Sequence, residues 1–414
     1  MLRWGIARAL LLIISVGTLP SLAAQLEAPP IGAKPASPAR SAEDPAAFQR
    51  FLETLWPEAQ AAGVSRATFD AAFAGLHLDA AVLSHTKQQA EFERSIRDYL
   101  ASMVTPTQVA KGRTLAAQWS DTLAAIERRF GVDRNIVVAL WGLESGYGAG
   151  IGGKDVIASL ASLAFAGFRD GLFRDELIAA LVILEQGHVG RAEMRGSWAG
   201  AMGQAQFMPS SFIKYAIAFD GGKRKDIWSN TPDVLASIAN FMNGNGWRSG
   251  LPWGFEVTLG QGFDYSVSRA SFAEWTRRGV ARVDGQSMPS TGEALLFFPV
   301  GWRGPAFLIT ENFFVIKNYN TSDAYALSAG VLADRISTAS AIRGAWPATI
   351  DGLDHAQLLE AQRKLNKLGL YDDKFDGRLG PALRASVHRF QVANGLVADG
   401  FPTPALLAKL RAER

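Results

Sequence analysis

Residues Val137–Gly148 read VVALWGLESGYG. An apolar run leads into one carboxylate, Glu144, and then stops at glycines, which predicts a buried helix that ends there. A carboxylate at the buried end of a helix is costly to ionise. Its pKa should therefore be raised, as a general acid at neutral pH requires. The alternative interpretation is a solvated glutamate at a helix end.

A second stretch, Ser197–Ser211, reads SWAGAMGQAQFMPSS and is dense in small residues. Its glycines would let a ligand approach the backbone closely. Its polar side chains, at Ser197, Gln204 and Gln206, could orient sugar hydroxyl and acetamide groups without adding charge. This makes it a candidate sugar-binding segment. The alternative is a tight helix–helix contact followed by a helix that Ser210 caps.

Helical spacing of apolar residues extends over 46–250. Short strand-like runs at 255–259, 294–298 and 306–310 then predict a small sheet-bearing insertion at about 253–312. Residues 312–316 lead into a helix from about Asp323. Beyond a linker at Arg343–Pro347, three short helices are expected at 357–368, 383–394 and 404–411. The predicted fold class is mainly α, with a helical core, a small β-containing insertion and a small three-helix C-terminal domain.

Several aromatic side chains could offer flat faces to sugar rings. They are Tyr99, Tyr147, Phe241, Trp247, Tyr319 and Tyr325. An aromatic residue belongs more often to a protein core than to a ligand platform. Composition alone therefore assigns a binding role to none of them.

The first residues have the order of a secretory signal peptide. Arg3 and Arg8 precede an apolar run, and small residues follow Pro20. This predicts a signal peptide at 1–23 that is cleaved after Ala23, with cleavage after Ala24 or an uncleaved anchor as the alternatives. Residues 24–45 are rich in Pro, Ala and Ser and predict a linker. No other stretch is apolar enough to span a bilayer, so the mature chain is expected to lack an integral membrane segment.

Charge and composition exclude several classes of site. The formal net charge of +3 is too weak to indicate a nucleic-acid partner. The absence of cysteine excludes a disulfide framework and a lipid-modified N-terminal cysteine. The five histidines form no metal-ligand spacing, so neither a catalytic zinc nor a cofactor is expected.

The two quoted stretches together resemble the lytic murein transglycosylase B family. The resemblance rests on the ESGYG turn at Glu144–Gly148 and on Ser197–Ser211. It continues through further matching segments, in chain order: Asp226–Trp228, Ser237–Phe241, Gly246–Trp247, Ile316–Asn320 and Ser322. The match covers about 46–340, and a catalytic domain is therefore expected at 46–342.

The resemblance implies a lysozyme-like helical core that cleaves the β-1,4 bond between N-acetylmuramic acid and N-acetylglucosamine of peptidoglycan. The product would carry a 1,6-anhydro-muramyl end. Glu144 matches the family's catalytic glutamate, which acts first as acid and then as base. Ordinary glycosidases use two carboxylates. The sequence does not force a second acid beside Glu144, because Asp155 and Glu185 are near it only in number.

The resemblance also implies which residues bind substrate. Ser197, Gln206, Tyr319, Asn320 and Tyr325 match family positions that line the glycan groove. The match of Tyr99 rests on a weaker local motif. Phe241 stands where the family can have a tyrosine, so it lacks the hydroxyl but keeps a stacking face. Tyr147, in the ESGYG turn, is a further candidate.

Some family members carry an acidic calcium-binding loop before the Asp226–Trp228 segment. Here the loop Asp220–Asp226 reads DGGKRKD, with three consecutive cations where carboxylates would be needed. We therefore predict no bound calcium and no other metal.

The C-terminal stretch resembles the peptidoglycan-binding domain 1 family, and a domain is expected at 350–412. The matching residues are Leu358, Gln362, Leu365, Gly369, Asp376, Gly377, Gly380, Phe390, Gln391, Gly395, Leu396, Asp399 and Gly400. The motif does not identify wall-binding residues. The alternative is a structural appendage without affinity for the wall.

These observations predict an exported, periplasmic, monomeric lytic transglycosylase whose partner is the peptidoglycan glycan strand. Two alternatives remain open. A muramidase would hydrolyse the same bond and would need a positioned water and usually a second carboxylate. A wall-binding scaffold would have no catalytic activity.

Overall fold

The computed structural model describes residues 45–87, 95–169, 171–338 and 341–413. The predicted signal peptide and the predicted linker up to residue 44 lie outside these ranges. Pro45, the last residue of that predicted linker, begins the first helix. Within the described ranges, no helix is both long enough and apolar enough to cross a bilayer.

Helices form most of the described chain up to Gly244, as the spacing over 46–250 predicts. They are α1 (Pro45–Glu53), α2 (Trp56–Ala61), α3 (Arg66–Phe73), α4 (Ala80–Lys87), α5 (Ile96–Met103), α6 (Pro106–Gln118), α7 (Ser120–Phe130), α8 (Arg134–Ser145), α9 (Val156–Phe165), α10 (Leu172–Glu185), α11 (Pro209–Tyr215) and α12 (Thr231–Gly244). Two short strands, β1 (Lys154–Asp155) and β2 (Arg195–Gly196), pair antiparallel among them.

Helix α8 lies at the centre of this bundle. The side chain of Asp133 accepts a hydrogen bond from the backbone N–H of Asn135 and so caps the helix N-terminus. Every residue from Ile136 to Ser145 is buried, because α8 packs against several helices, among them α6, α7 and α12. Gly146 ends the helix with φ 58°, a left-handed conformation that glycine adopts without strain.

The predicted insertion is a five-stranded antiparallel sheet. Its strands are β3 (Gly254–Thr258), β4 (Arg269–Ser271), β5 (Ala281–Arg282), β6 (Glu293–Phe297) and β7 (Ala306–Ile309), with α13 (Phe272–Arg277) after β4. The order across the sheet is β4-β6-β7-β3-β5. Phe255 and Leu296 both face Leu308 in register, so apolar residues meet on one side of the sheet and form a separate small core.

The chain returns to the helical core after β7. Residues 312–316, which were expected only to lead into the next helix, lie within a helix themselves, α14 (Glu311–Tyr319). Thr310 is the N-cap residue of α14, because its side chain accepts a hydrogen bond from the N–H of Asn312. The apolar run that follows gave no indication of this cap. Helix α15 (Asp323–Thr338) follows and packs along α8 and α5.

The last described residues form the three expected helices, α16 (His355–Lys367), α17 (Pro381–Ala393) and α18 (Pro404–Ala412). We call residues 353–412 the C-terminal unit. Two glutamines of the matched C-terminal motif make the same kind of contact. Gln362 donates to Asp376 at 2.7 Å, and Gln391 donates to Asp399 at 2.7 Å. Each glutamine thereby holds an Asp-Gly turn, so these motif residues stabilise the unit internally.

The C-terminal unit lies against the sheet and the start of α15. His388 contacts the carbonyl of Tyr265 at 2.9 Å, and the N–H of Trp302 donates to Asp399 at 3.0 Å. The predicted linker before the unit is bound to the sheet as well. Glu256 on β3 accepts hydrogen bonds from the N–H groups of both Arg343 and Gly344.

Gly330 sets the distance between α15 and the start of the sheet region. A Cβ atom at this position would lie 2.4 Å from the indole ring of Trp253. We expect Gly330→Ala to reduce the free energy of unfolding by about 1–3 kcal/mol, because the overpacked ring and helix must move apart. The measurement is denaturant unfolding. Gly153→Ala is the control, since a Cβ there meets nothing within 4 Å. Equal stability of the two variants would contradict this view of the packing.

Candidate active site

Glu144 lies in the last turn of α8 and has no exposed surface. Its Oε1 atom accepts a short hydrogen bond from the hydroxyl of Tyr325 on α15. Its Oε2 atom is buried and has no hydrogen-bond partner among the described residues. A buried polar oxygen without a partner is rare in folded proteins and marks a position where a ligand group could bind.

The surroundings of Glu144 favour the protonated carboxyl. Burial raises its pKa well above the ordinary value, and the hydrogen bond from Tyr325 offsets this only in part. Burial and the neighbouring carboxyl also raise the pKa of Tyr325 and of Tyr319, so both phenols stay protonated donors. Glu144 is thus an acid surrounded by neutral groups, as the apolar helix before it predicts.

Tyr319, at the end of α14, belongs to the same cluster. It is fully buried, and its hydroxyl donates to the carbonyl of Ala205 at 2.7 Å. Phe241 packs behind it, with ring centroids 4.7 Å apart, and is itself 3% exposed. Phe241 therefore packs against Tyr319 inside the protein, and its predicted role in sugar stacking stays a prediction.

The segment Ser197–Ser211 forms a tight loop beside this cluster up to Met208, where helix α11 begins. The N–H of Ser197 donates to the carbonyl of Ala201 at 2.8 Å, and the Ser197 hydroxyl accepts the N–H of Ala201 at 3.0 Å. Met202 and Phe207 then pair as an antiparallel bridge. The buried Ser197 side chain thus holds the loop itself, and its predicted contact with glycan stays a prediction.

Gln206 occupies a strained position in this loop, with φ 48°. Its Nε2 atom donates to the carbonyls of Ile151 and Gly203 at 3.0 and 2.8 Å. Its Oε1 atom is buried without a partner in the described part of the chain. The carbonyl of the adjacent Ala205 accepts from Tyr319, so the loop that carries Gln206 contacts the tyrosine that adjoins Glu144.

The start of α11 differs from the capped helix that was the alternative for this segment. Ser210 lies inside the first turn, and Met208 is the N-cap residue without a side-chain cap. The Ser210 hydroxyl and N–H both bind Glu176 on α10, at 2.6 and 2.9 Å. A capping role for Ser210 is therefore wrong, because a carboxylate from another helix satisfies this end.

The ESGYG turn is fixed by residues that the motif does not contain. Tyr147, at φ 60°, is buried, and its hydroxyl donates to the carbonyl of Gln108 at 2.9 Å. Lys111 donates to the carbonyl of Gly146 at 2.7 Å. Tyr147 thus anchors the turn to α6, and its predicted substrate role stays a prediction. The sequence around Gln108 and Lys111 carried no signal of this contact, since it exists only in the folded chain.

Tyr99 and Asn320 complete the set of predicted site residues. Tyr99, on α5, is half-buried and lies close enough to Tyr325 to raise its pKa electrostatically. Asn320 follows α14 and accepts the N–H of Ser322 at 3.2 Å. The structure therefore brings Glu144, Tyr99, Tyr319 and Tyr325 into one cluster, with the Gln206 loop against it.

No second carboxylate bonds to Glu144 within the described ranges. Asp155 accepts from Arg191 at 2.7 Å and caps α9. Glu185 accepts the N–H and hydroxyl of Ser65 near the surface. Both acids that are near Glu144 in number are engaged in other contacts.

The loop Asp220–Asp226, for which no bound calcium is predicted, uses its carboxylates locally. Asp226 accepts the N–H groups of Trp228 and Ser229, and Asp220 accepts that of Gly222. Over the residues that the structure describes, His, Asp and Glu side chains form no group of three that could hold a metal. The absence of calcium stays a prediction.

The raised pKa of Glu144 makes a prediction about stability. Because the pKa is higher in the folded than in the unfolded chain, the carboxyl favours folding below the unfolded value near 4.5 and this contribution is lost as pH rises. We expect Glu144→Gln to be more stable than the wild type by about 1–3 kcal/mol at neutral pH, with a smaller difference near pH 4. Thermal unfolding at both pH values measures this. A difference that does not change with pH would contradict the raised pKa.

Comparisons with known proteins agree with this geometry. The transglycosylase SLT domain family matches residues 47–334, and a putative peptidoglycan-binding domain family matches residues 354–410. Membrane-bound lytic murein transglycosylase B of Escherichia coli K12 is 29% identical over 256 residues, which are 58% of this chain and 67% of that protein.

Two solved structures have the same fold. SltB3 from Pseudomonas aeruginosa, in complex with NAG-anhNAM-pentapeptide, is 43% identical with a TM-score of 0.80, covering 88% of this chain and 99% of that one. The Escherichia coli lytic transglycosylase Slt35, in complex with calcium, is 25% identical with a TM-score of 0.60, covering 72% and 95%. The predicted mainly helical, lysozyme-like fold class is confirmed. The chain is an enzyme that belongs to the transglycosylase SLT domain family.

Proposed function

We propose that the chain is a lytic transglycosylase that cleaves peptidoglycan glycan strands between N-acetylmuramic acid and N-acetylglucosamine and leaves 1,6-anhydro-muramyl ends. Glu144 is the acid and the base of this reaction. The observation that carries the assignment is a fully buried carboxyl with one oxygen held by Tyr325 and the other free. The SltB3 complex with NAG-anhNAM-pentapeptide supports the nature of the product.

The reaction needs one proton donor that becomes a proton acceptor. Protonated Glu144 gives its proton to the glycosidic oxygen as the bond from that oxygen to C1 of muramic acid breaks. The carboxylate then takes the proton of the muramic acid 6-hydroxyl, whose oxygen forms the new bond to C1. The proton count on Glu144 is restored and no water is consumed. The raised pKa of Glu144 keeps the proton in place for the first step.

The groups around Glu144 can assist both steps. Tyr325 donates to Oε1 and would stabilise the carboxylate that exists between the two proton transfers. Glycan would bind at Oε2 and at the free oxygen of Gln206, which lacks a protein partner. Because Oε2 has no exposed surface, glycan binding has to separate the side chains that cover it.

The site around Glu144 favours internal attack over hydrolysis. Hydrolytic glycosidases usually position a water or a nucleophile with a second carboxylate. Within the described chain, the side chain that hydrogen-bonds Glu144 is a tyrosine, and Asp155 and Glu185 are engaged elsewhere. Attack by the substrate's own hydroxyl requires no such partner.

Export and wall binding complete the proposal. In residues 1–23 two arginines precede an apolar run, as in a signal peptide, and this supports export to the periplasm. The family match at 354–410 supports binding of peptidoglycan by the C-terminal unit. We further propose that the enzyme acts as a monomer.

Mass spectrometry of digested glycan tests the reaction. We expect the wild type to release products with anhydro ends, each lighter by one water than a hydrolytic product. Glu144→Gln should lower turnover about 10³-fold, because the amide cannot transfer the proton. Reducing ends from the wild type would instead establish a muramidase.

Glu185→Gln is the matched control, since it makes the same chemical change at an acid that binds Ser65. It should digest glycan at the wild-type rate. Full activity of Glu144→Gln would contradict the catalytic assignment. A wild type that binds glycan and releases nothing would establish a wall-binding scaffold.

A further inference from the structure

A buried ionic cluster joins the C-terminal unit to the catalytic region. Asp323, the first residue of α15, binds the ammonium group of Lys317 on α14 through Oδ1. Its Oδ2 atom accepts from the guanidinium of Arg384 on α17 at 3.0 Å. The three side chains are each about 10% exposed. Burial raises the pKa of Asp323, but the two cations more than offset this and the net pKa is lowered, so the carboxylate is charged at neutral pH.

Arg384 makes two further contacts besides the one with Asp323. Its Nη1 atom donates to the carbonyl of Phe298 at 3.1 Å, and its guanidinium lies over the ring of Phe297, 4.8 Å from the centroid. These contacts hold the planar fork in a single orientation toward Asp323. A guanidinium that is fixed at two other points restrains the carboxylate more than a mobile surface cation would.

The cluster holds the segment 320–322, which links α14 to α15. Lys317 and Asp323 stand on the two sides of this segment, and Ser322 within it accepts the N–H of Tyr325 at 3.4 Å. Tyr325 is two residues beyond Asp323, and its hydroxyl bonds Glu144. Tyr319, just before the segment, reaches the Ala205 carbonyl at 2.7 Å. A shift of Asp323 therefore moves the backbone that carries both phenols.

We propose that Arg384 of the C-terminal unit is a positioning residue for catalysis: by holding Asp323 it fixes the start of α15 and thereby the Tyr325 hydroxyl on Glu144. This inference rests on the proposed function and adds to it a physical link between the peptidoglycan-binding unit and the acid. Through the contact of Arg384 with Asp323, rather than through docking as a whole, the unit then affects the geometry of the site.

The consequence for pH follows from the groups around Glu144. These are Tyr325 and Tyr319, with Tyr99 beside Tyr325. The hydrogen bond from Tyr325 lowers the pKa of Glu144, so loosening that bond raises it further. The first step requires protonated Glu144, and the rate falls as pH rises through this pKa. Loss of the bond therefore moves the alkaline limb of the pH–rate profile to higher pH.

The test uses the full chain and a soluble, uncross-linked glycan oligosaccharide, with Arg384→Met as the variant. Methionine keeps apolar packing on Phe297 and leaves Asp323 paired with Lys317. We expect kcat to fall roughly 10-fold from the loss of orientation. We also expect the alkaline limb to move in the same direction as in Tyr325→Phe, and Arg384→Lys to recover part of both effects.

His388→Ala is the matched control. It removes a contact of the same helix with the sheet, at the carbonyl of Tyr265, and does not touch Asp323. It should keep the wild-type kcat and pH profile. If Arg384→Met is not folded by thermal unfolding, Arg384→Gln replaces it, since its amide can still donate to Phe298, and the same results are expected.

The outcomes separate this inference from the proposed function. A folded Arg384 variant with the wild-type kcat and alkaline limb would overturn the inference, and so would an equal change in His388→Ala. Failure of the wild type to form anhydro products would overturn the proposed function instead.

Discussion

The burial of one carboxyl group at the end of an apolar helix is the constraint on which the site depends. Glu144 has no exposed surface, and α8 can place it there only because every residue from Ile136 onward packs against other helices. An unpaired carboxylate in such surroundings is unstable, so the group keeps its proton or needs a donor. Tyr325 supplies that donor. The bundle thus raises the pKa of Glu144 and favours its protonated form, and the rest of the chain has to hold a tyrosine against it.

The elements that hold this tyrosine come from distant parts of the chain. Helix α15 carries Tyr325, Tyr319 ends α14, and the loop of Ser197–Ser211 receives Tyr319 through the carbonyl of Ala205. The sheet lies between α12 and α14 in sequence, and Trp253 at its start packs on Gly330 of α15. The sheet therefore acts as a brace for the helix that carries the hydrogen-bond donor. The ionic cluster at Asp323 adds a second brace from the C-terminal unit.

Local pattern and turn chemistry were sufficient for most of the secondary structure. The helical core, the three main strand runs and the three C-terminal helices lie where apolar spacing places them. Residues 312–316 were expected only to lead into the helix at Asp323, and the cap at Thr310 makes them part of an additional helix. Ser210 does not cap α11 as the alternative interpretation expected, and the cause is distant in sequence. Its hydroxyl donates a hydrogen bond to Glu176 on another helix. Polar groups at helix ends are predictable only when their partner is a sequence neighbour.

An apolar run ending in Glu-Ser-Gly-Tyr-Gly is a local feature of the chain, so the sequence alone was enough to predict the helix, the family and Glu144 as the candidate acid. The tertiary structure decided what surrounds that acid. Tyr325 is 181 residues from Glu144, and Arg384 is 61 residues from Asp323. It also assigned Tyr147 and Phe241 to packing contacts that their aromatic character could not distinguish from sugar platforms. A hydrogen bond or an ion pair acts over a few ångströms, and only folding brings residues so far apart in sequence to that distance.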